Sequence, residues 1–583
     1  MMLTKAKESI AFVSLLLLIL VPFLNPLHHF GVLGFTEDML TVSCLALVLI
    51  ATVLYCDKII VPRYIILLLL GAAVLIGTTF FNTTYLQNRL NLSIWLISAG
   101  LVSICVYSLK YQYANTKLFQ VKLAKALFFS IFIIAVLSFL SFYWANPLIK
   151  LSTISFYYSN IIRMGGFIGQ PNLLAILFFL GIAAYPYLDK QIQNKYASLP
   201  YVVMLFFISY CLFATLSRVA VIALVVFVIY TVIKAIGTGH KKRAIKFSAI
   251  ISLAYLTYHF LHPHLIDYAI EKQWIPNIVN SASEIKDASY NRATNIDHKL
   301  DEIQRALTIF SQHSLAGVGF GRYGYYSQQL TLAGWPVIIP GFPYHSHNII
   351  AQVLAEFGLI GAGVLLLALV LVAKLLIGSY KREGHLLLFG LLLIFALNAM
   401  FEYALWNLNF AVLFFLLLAS FTDDKALEIT LLKTPLLKVA YGIFFAGFVV
   451  ILLSRWSILK TIDTIFAAPE NVIYAQAMTD DSLIGLDFSN IYLAGLKFSP
   501  ANDKSYAEEV AKVEQWRPTD LVYYRKVQLD IGNEDSESIV NNINKALKLG
   551  STEEILVQLM QADCQPDNKA CKVGRAYIET LNK

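Results

Sequence analysis

The sequence predicts an all-α protein: a polytopic bundle of membrane helices with one large extramembrane loop and a helical C-terminal domain. Composition is the first observation behind this. Of 583 residues, 58% are hydrophobic and 14% charged, with a mean hydropathy of +0.65, against roughly 45–50% apolar content in soluble domains. The second is length patterning, because apolar runs recur as far as Leu453, each close to the ~20 residues a helix needs to cross the hydrocarbon core. The third is the lack of short alternating segments, which a membrane β-barrel would show.

About thirteen runs have the length of a span. They cover roughly 9–24, 39–56, 60–80, 91–108, 126–144, 172–188, 200–216, 219–236, 246–261, 349–373, 386–401, 404–421 and 437–453. The first follows Lys5 and Lys7 with no small-residue cleavage site after it, as in an uncleaved signal anchor. Basic residues fall in alternate loops: Lys110, Lys117, Lys122 and Lys125; then Lys241, Lys242, Arg243 and Lys246; then Lys374, Lys381 and Arg382; then Lys425, Lys433 and Lys438. The other loops carry essentially Arg89, Lys150, Arg163 and Arg218, so the positive-inside rule predicts a cytoplasmic N-terminus and an external C-terminal tail. The formal charge of +8 is modest for this length and reports topology; it gives no reason to expect nucleic-acid binding.

Residues 1–456 thus form the expected transmembrane domain and 457–583 the expected C-terminal helical domain. The loop 262–348 is too long for a simple connection. Within it Leu300, Ile303, Leu307 and Phe310 have helical spacing, and Gly317, Gly319, Gly321 and Gly324 follow, so we expect an amphipathic helix in a lid. Pro500, Pro518, Gly532 and Gly550 divide the tail into short helices. Cys44, Cys56, Cys105 and Cys211 fall in apolar runs as small core residues. Cys564 and Cys571 stand in the polar tail, where an oxidising compartment would permit a disulfide.

The chain's chemistry is expected around 340–363, PGFPYHSHNIIAQVLAEFGLIGAG. His345 and His347 lie two apart, Asn348 is a candidate N-cap, and apolar periodicity begins at Ile349. Two histidines there are either interfacial residues tolerating a polarity step or a source of a general base or a phosphate partner. A metal site is not expected, because no further ligands with suitable spacing accompany them. Gly358, Gly361 and Gly363 read as close helix-packing positions.

The predicted topology puts Arg163, Gln170, Arg218, Arg292, Glu402 and Tyr403 on the face that carries these histidines. A guanidinium between two apolar runs, as at Arg218, suits a diphosphate, and snorkelling at a tight turn is its plainer alternative. Arg292 is either a second clamp or a solvated loop residue. Gln170 precedes Pro171 and could cap that helix or hold a sugar or phosphate oxygen. Tyr403 could bind a ligand or sit as an interfacial aromatic. Glu402 could orient a histidine or pair with an arginine.

The stretch HSHNIIAQVLAEFGLIGAG resembles the signature of the Wzy/WaaL (O-antigen ligase) superfamily of polytopic bacterial enzymes. NPLHHFGVLGFTEDM, RMGGFIGQPN, GVGFGRYGYYS and FEYALWNLNF resemble the PglL group of protein O-oligosaccharyltransferases, as does the long final segment. The resemblance implies an inner-membrane glycosyltransferase with its active face and C-terminal domain in the periplasm. Such an enzyme moves a preassembled glycan from undecaprenyl diphosphate to Ser or Thr hydroxyls of proteins such as pilin, without metal or other cofactor. It implies His347 as the catalytic residue, Arg218 and Arg292 as diphosphate ligands, and Gln170 and Tyr403 as orienting groups, with Arg163, His345, Asn348 and Glu402 beside them. Two departures stand out. NIDHKLDEIQRAL lacks the Trp that often follows the second arginine, so the register of Arg292 is open, and Ala404 replaces the usual Pro. Ligation to lipid A core, polymerisation by the same fold, and glycolipid transport are the alternatives.

Overall fold

The computed structural model describes residues 2–25, 35–82, 84–113, 115–145, 163–192, 195–275, 297–336, 343–424, 426–429, a few positions between 486 and 493, and 503–581 except 566. The chain is an all-α membrane helix bundle. In order, its membrane part contains α1 (Met2–Leu20), α2 (Phe35–Tyr55), α3 (Arg63–Thr78), α4 (Leu86–Gln112), α5 (Thr116–Tyr143), α6 (Pro171–Gln191), α7 (Lys195–Ala214), α8 (Arg218–Gly237) and α9 (Lys241–Glu271). Then come α10 (Asp297–Gln312), α11 (Tyr323–Leu332), α12 (Ile349–Ser379), α13 (His385–Phe401) and α14 (Leu408–Phe421). Seven of these helices are long and apolar enough to cross a membrane, and five shorter apolar helices accompany them. The expected span 437–453 lies outside the described residues.

α6 runs through the centre, with 89% of its apolar window buried, whereas α12 lies at the periphery with 6%. The site described below spans these two environments. Ile59–Pro62 pairs antiparallel with Ala426–Ile429, tying the start of α3 to the chain after α14. The run 404–421 divides into a 3-10 turn, Ala404–Trp406, and α14.

Charged loops collect in two groups. Lys117, Lys190 and Gln191 all engage Glu383, Lys110 and Arg382 engage Asp423, and Lys246 and Arg243 engage Asp189. These come from the loops that carry most of the basic residues. The loops before α6, after α7, before α12 and after α13 are joined through a separate set of contacts that includes His347.

α12 is not one continuous rod. Gly358 has φ 61° and ψ −152°, a conformation open essentially only to glycine. The break frees backbone groups that the preceding loop satisfies: Leu359 and Ile360 N–H donate to the Ser314 and Leu315 carbonyls, while Val318 and Gly319 N–H donate to Ala355 and Glu356. A Cβ at Gly358 would lie 2.5 Å from the Leu315 carbonyl, and one at Gly317 2.3 Å from the Glu356 carbonyl carbon. Gly358 is therefore a helix break zipped to the glycine loop, which corrects its reading as a packing position, and Gly363 has no neighbour for a Cβ within 4 Å.

α10 is helical as expected, but its buried stripe differs. Leu300 and Leu307 are 53% and 45% exposed, while Arg305, Ala306 and Ile309 are buried. The reason is polar. Arg305 donates to Asp301, to the Ser327 carbonyl and the Thr331 hydroxyl of α11, and to the Pro336 carbonyl, fastening the loop into one body. A buried guanidinium is tolerated only when its donors are met.

In the tail, α15 (Asp503–Trp516), α16 (Asp520–Gly532), α17 (Ser538–Lys548), α18 (Glu553–Asp563) and α19 (Lys569–Leu581) follow. The last four pack around a common apolar core that includes Val527, Ile543 and Leu559. Cys564 and Cys571 are disulfide-bonded, and Cys44, Cys56, Cys105 and Cys211 are free and buried.

Candidate active site

His345, His347, Asn348, Gln352, Glu402, Tyr403 and Trp406 line an open cleft. Its histidine wall is positioned by the start of α12. Asn348 is the N-cap, its Oδ1 accepting from the Ile350 and Ala351 N–H groups at 3.1 Å each. Its Nδ2 donates to the Met400 carbonyl at the end of α13. Ser346 is locked on the same turn, its N–H donating to Gln352 Oε1 and its hydroxyl to the Asn348 carbonyl. Between these anchors His347 takes φ +50°, uncommon for a residue with a Cβ. Such strain persists where the surroundings over-determine it, and it often marks function.

The ring of His347 lies between two carboxylates. Nδ1 is 3.4 Å from Glu402 Oε2, and Nε2 is 3.7 Å from Glu302 Oε2, ion-pair distances without hydrogen-bond geometry. Glu402 follows the last turn of α13. Its Oε1 accepts from Asn172 Nδ2 at 2.8 Å and from Lys299 Nζ at 3.3 Å. Burial raises its pKa, but the His347 ring and the Lys299 ammonium outweigh that and hold the carboxyl below the usual range. Burial lifts Glu302 to about 7.

Gln170 occupies the N-cap position of α6 yet makes no side-chain cap bond; its Nε2 donates to the Tyr403 hydroxyl at 2.9 Å. The capping alternative for Gln170 is thereby removed. Tyr403 in turn stacks on His345, with centroids 4.6 Å apart and 27° between planes, and meets His347 edge-on at 5.5 Å. His345 also packs edge-on against Trp406. Burial, aided by His347, pushes His345 down to about 3, so this ring stays neutral and serves as a stacking element.

Arg163 reaches across the loop before α6, donating from Nε to the Thr215 carbonyl at 2.8 Å and from a terminal nitrogen to Asn172 Oδ1 at 2.6 Å. Thr215 belongs to the turn between α7 and α8, where Leu216 has φ +52° and Arg218 is the first residue of α8. Arg218 is exposed on the turn that Arg163 binds. The structure thus brings Arg163, Gln170, His345, His347, Asn348, Glu402 and Tyr403 into one connected cluster, with Arg218 on an adjoining turn. Arg292 lies outside the described residues.

Four contributors escape sequence reasoning: Asn172, Lys299, Glu302 and Trp406. Lys299 and Glu302 lie three apart, on one helical face, and on an amphipathic helix such a polar pair has the pattern of a solvated face. Asn172 stands two residues beyond Gln170 in GQPN, and only its bond to Glu402 gives it meaning. Among the described residues no three His, Cys, Asp or Glu side chains are grouped to hold a metal ion.

Fold and cleft define a class: a multi-pass helical membrane protein whose titratable and cationic side chains converge on one mouth of the bundle. Residues 203–366, from within α7 into α12 and including both cleft histidines, match the model of the O-antigen ligase family, Wzy_C. The match supports a place in the Wzy/WaaL superfamily and a glycosyl-transferring enzyme that acts on lipid-linked glycans. A search of curated proteins returned no match.

Proposed function

We propose that the chain is a protein O-oligosaccharyltransferase of the PglL type, moving a preassembled glycan from undecaprenyl diphosphate to Ser or Thr hydroxyls of periplasmic proteins such as pilin. The observation that carries this reading is the convergence of His347, Glu402, Tyr403 and Gln170 on one cleft. Gln170 and Tyr403 come from two of the four motifs that carry the PglL resemblance, and both lie outside the matched span 203–366.

In this reading the donor already carries its leaving group, so the protein supplies orientation, charge and proton transfer. Glu402 holds the Nδ1 side of His347, leaving Nε2 to take the proton of the acceptor hydroxyl, the role an oriented imidazole fills in acyl-transfer triads. Arg218 and Arg163 present cations on neighbouring turns, and Lys299 is the cation that α10 contributes beside Glu402. These groups would face the diphosphate, with Lys299 in the part that the resemblance implies for Arg292. Gln170 and Tyr403 orient the sugar or the hydroxyl, and Asn348 holds the turn that carries His347.

A second reading is ligation of the same donor to lipid A core, favoured by the description of the matching family. Both readings place the active face and the C-terminal helices in the periplasm. They separate in one experiment with purified protein, an undecaprenyl-diphosphate oligosaccharide, and pilin and core lipid A offered together. Glycan on pilin supports the first reading; glycan on the lipid alone supports the second and removes the first.

A further inference from the structure

We infer that Glu302 is a positioning residue of the cleft, taking up through the His347 ring the proton that an acceptor hydroxyl loses. This rests on the transferase reading above. Glu302 Oε2 lies 3.7 Å from Nε2, the nitrogen that does not face Glu402. The two carboxylates therefore address opposite sides of one imidazole and come from separate elements, α10 and the turn after α13. They also differ in what else they hold. Glu402 accepts from Asn172 and Lys299, whereas Glu302 Oε2 is buried with no hydrogen-bond donor among the described residues. A buried carboxylate oxygen without a donor is costly unless it has a use.

The placement of Glu302 is built in. Its backbone carbonyl accepts from the Tyr323 hydroxyl of α11 at 3.0 Å. One turn on, Arg305 ties α10 to α11 and to Pro336. The groups facing the carboxyl are His347 from the loop, Lys299, Asp301 and Arg305 on α10, Tyr323 on α11 and Tyr403 after α13. Burial lifts Glu302 to about 7, with Asp301 adding to the rise and His347, Lys299 and Arg305 only partly offsetting it. Near neutrality such a carboxyl can both accept and return a proton.

The step balances as follows. The acceptor oxygen forms a bond to the anomeric carbon, and the bond from that carbon to the diphosphate oxygen breaks, its electron pair leaving with the polyprenyl diphosphate. The hydroxyl proton passes to Nε2 and on to Glu302 Oε2, while Nδ1 keeps its proton towards Glu402. Glu302 then returns the proton to the departing diphosphate or to water.

The test compares wild type, Glu302→Gln and Glu302→Asp as full-length protein, with undecaprenyl-diphosphate oligosaccharide as donor and pilin as acceptor, between pH 5 and 9. Glu302 must be ionised to accept a proton, so wild-type kcat falls as pH drops through about 7. Glu302→Gln is expected to lower kcat at pH 8 by about 10- to 100-fold. It should leave the donor KM within about threefold and displace the acid limb to lower pH; Glu302→Asp recovers part of the rate. A merely structural role would not move that limb. Undiminished kcat in Glu302→Gln, or an unchanged acid limb, overturns the inference. Diethylpyrocarbonate labelling of His347, read by peptide mass at pH 7, needs no transfer. It should be about twofold faster in Glu302→Gln, because a carboxyl that is about half protonated at pH 7 no longer donates its O–H to the Nε2 lone pair. Equal labelling overturns the pairing. Faster labelling without transfer to any acceptor in wild type overturns the transferase reading while upholding the pairing.

Discussion

His347 is defined by its surroundings more than by its own chemistry. Its φ of +50° is held by the Asn348 cap on one side and by the Ser346–Gln352 bond on the other, so the ring is presented between Glu302 and Glu402. His345 is two residues away and buried against Tyr403 and Trp406, where it stays neutral. A histidine pair that looks symmetric in sequence is thus divided by burial into a stacking ring and a ring set between two carboxylates. Tyr403→Phe would keep the His345 stack and remove only the bond from Gln170, so we expect about a 5- to 10-fold loss of transfer, the effect of roughly 1 kcal/mol, with unchanged protein abundance on immunoblots. Loss matching that of His347→Ala would show that the phenol does more than accept this bond. The residue types at the site were largely readable from the sequence, since Gln170, His347, Glu402 and Tyr403 all sit in marked motifs. Glu302 and Lys299 were not, because a pair of polar residues on an amphipathic helix looks solvated until tertiary contacts turn it inward.

At the scale of elements, the break in α12 sets the geometry of the cleft. Had α12 run straight from Ile349, the histidine loop would continue the axis of a peripheral lipid-facing helix. Gly358 instead separates a short segment, packed under α10 and the glycine loop, from the apolar helix beyond it. Gly358→Ala would force a Cβ to within 2.5 Å of the Leu315 carbonyl at a positive φ, so a loss of about 1–3 kcal/mol is expected, seen as a lower melting temperature in detergent. A neutral result would mean the break is not needed. Asn348→Ala removes both cap bonds, costing about 1 kcal/mol; activity should fall more than thermal stability, because the cap also holds His347. Helical periodicity located α12 and α10 but misassigned the inner face of α10. Apolar spacing names a stripe, and the four-way bonding of Arg305 selected a different one.

Over the whole molecule, the tail is fastened to the same loops that build the cleft. Arg322 of the glycine loop donates to the Gln515 carbonyl. Arg517 lies 4.4 Å over the ring of Tyr344, next to His345, while 3.6 Å from Asp487, and Asp487 accepts from Gln87 at the start of α4. Lys548 donates to the Leu332 carbonyl of α11. Arg517→Ala is expected to lower transfer several-fold without altering membrane insertion, measured by activity per folded protein; unchanged activity would make the tail a separate module. The multi-pass class and the order of helices followed from hydropathy alone. The docking of the tail did not, because its contacts are isolated cation–ring, side-chain and backbone bonds that leave no periodic trace in sequence.

The central claim is that the His347 cleft moves a lipid-linked glycan onto a protein hydroxyl. Its most direct test is the intact mass of a tagged pilin, co-expressed with a lipid-linked glycan and either the wild-type chain or His347→Ala at matched abundance. The account predicts a pilin heavier by one glycan with wild type and unmodified pilin with the variant; equal modification with both, or none with either, would contradict it.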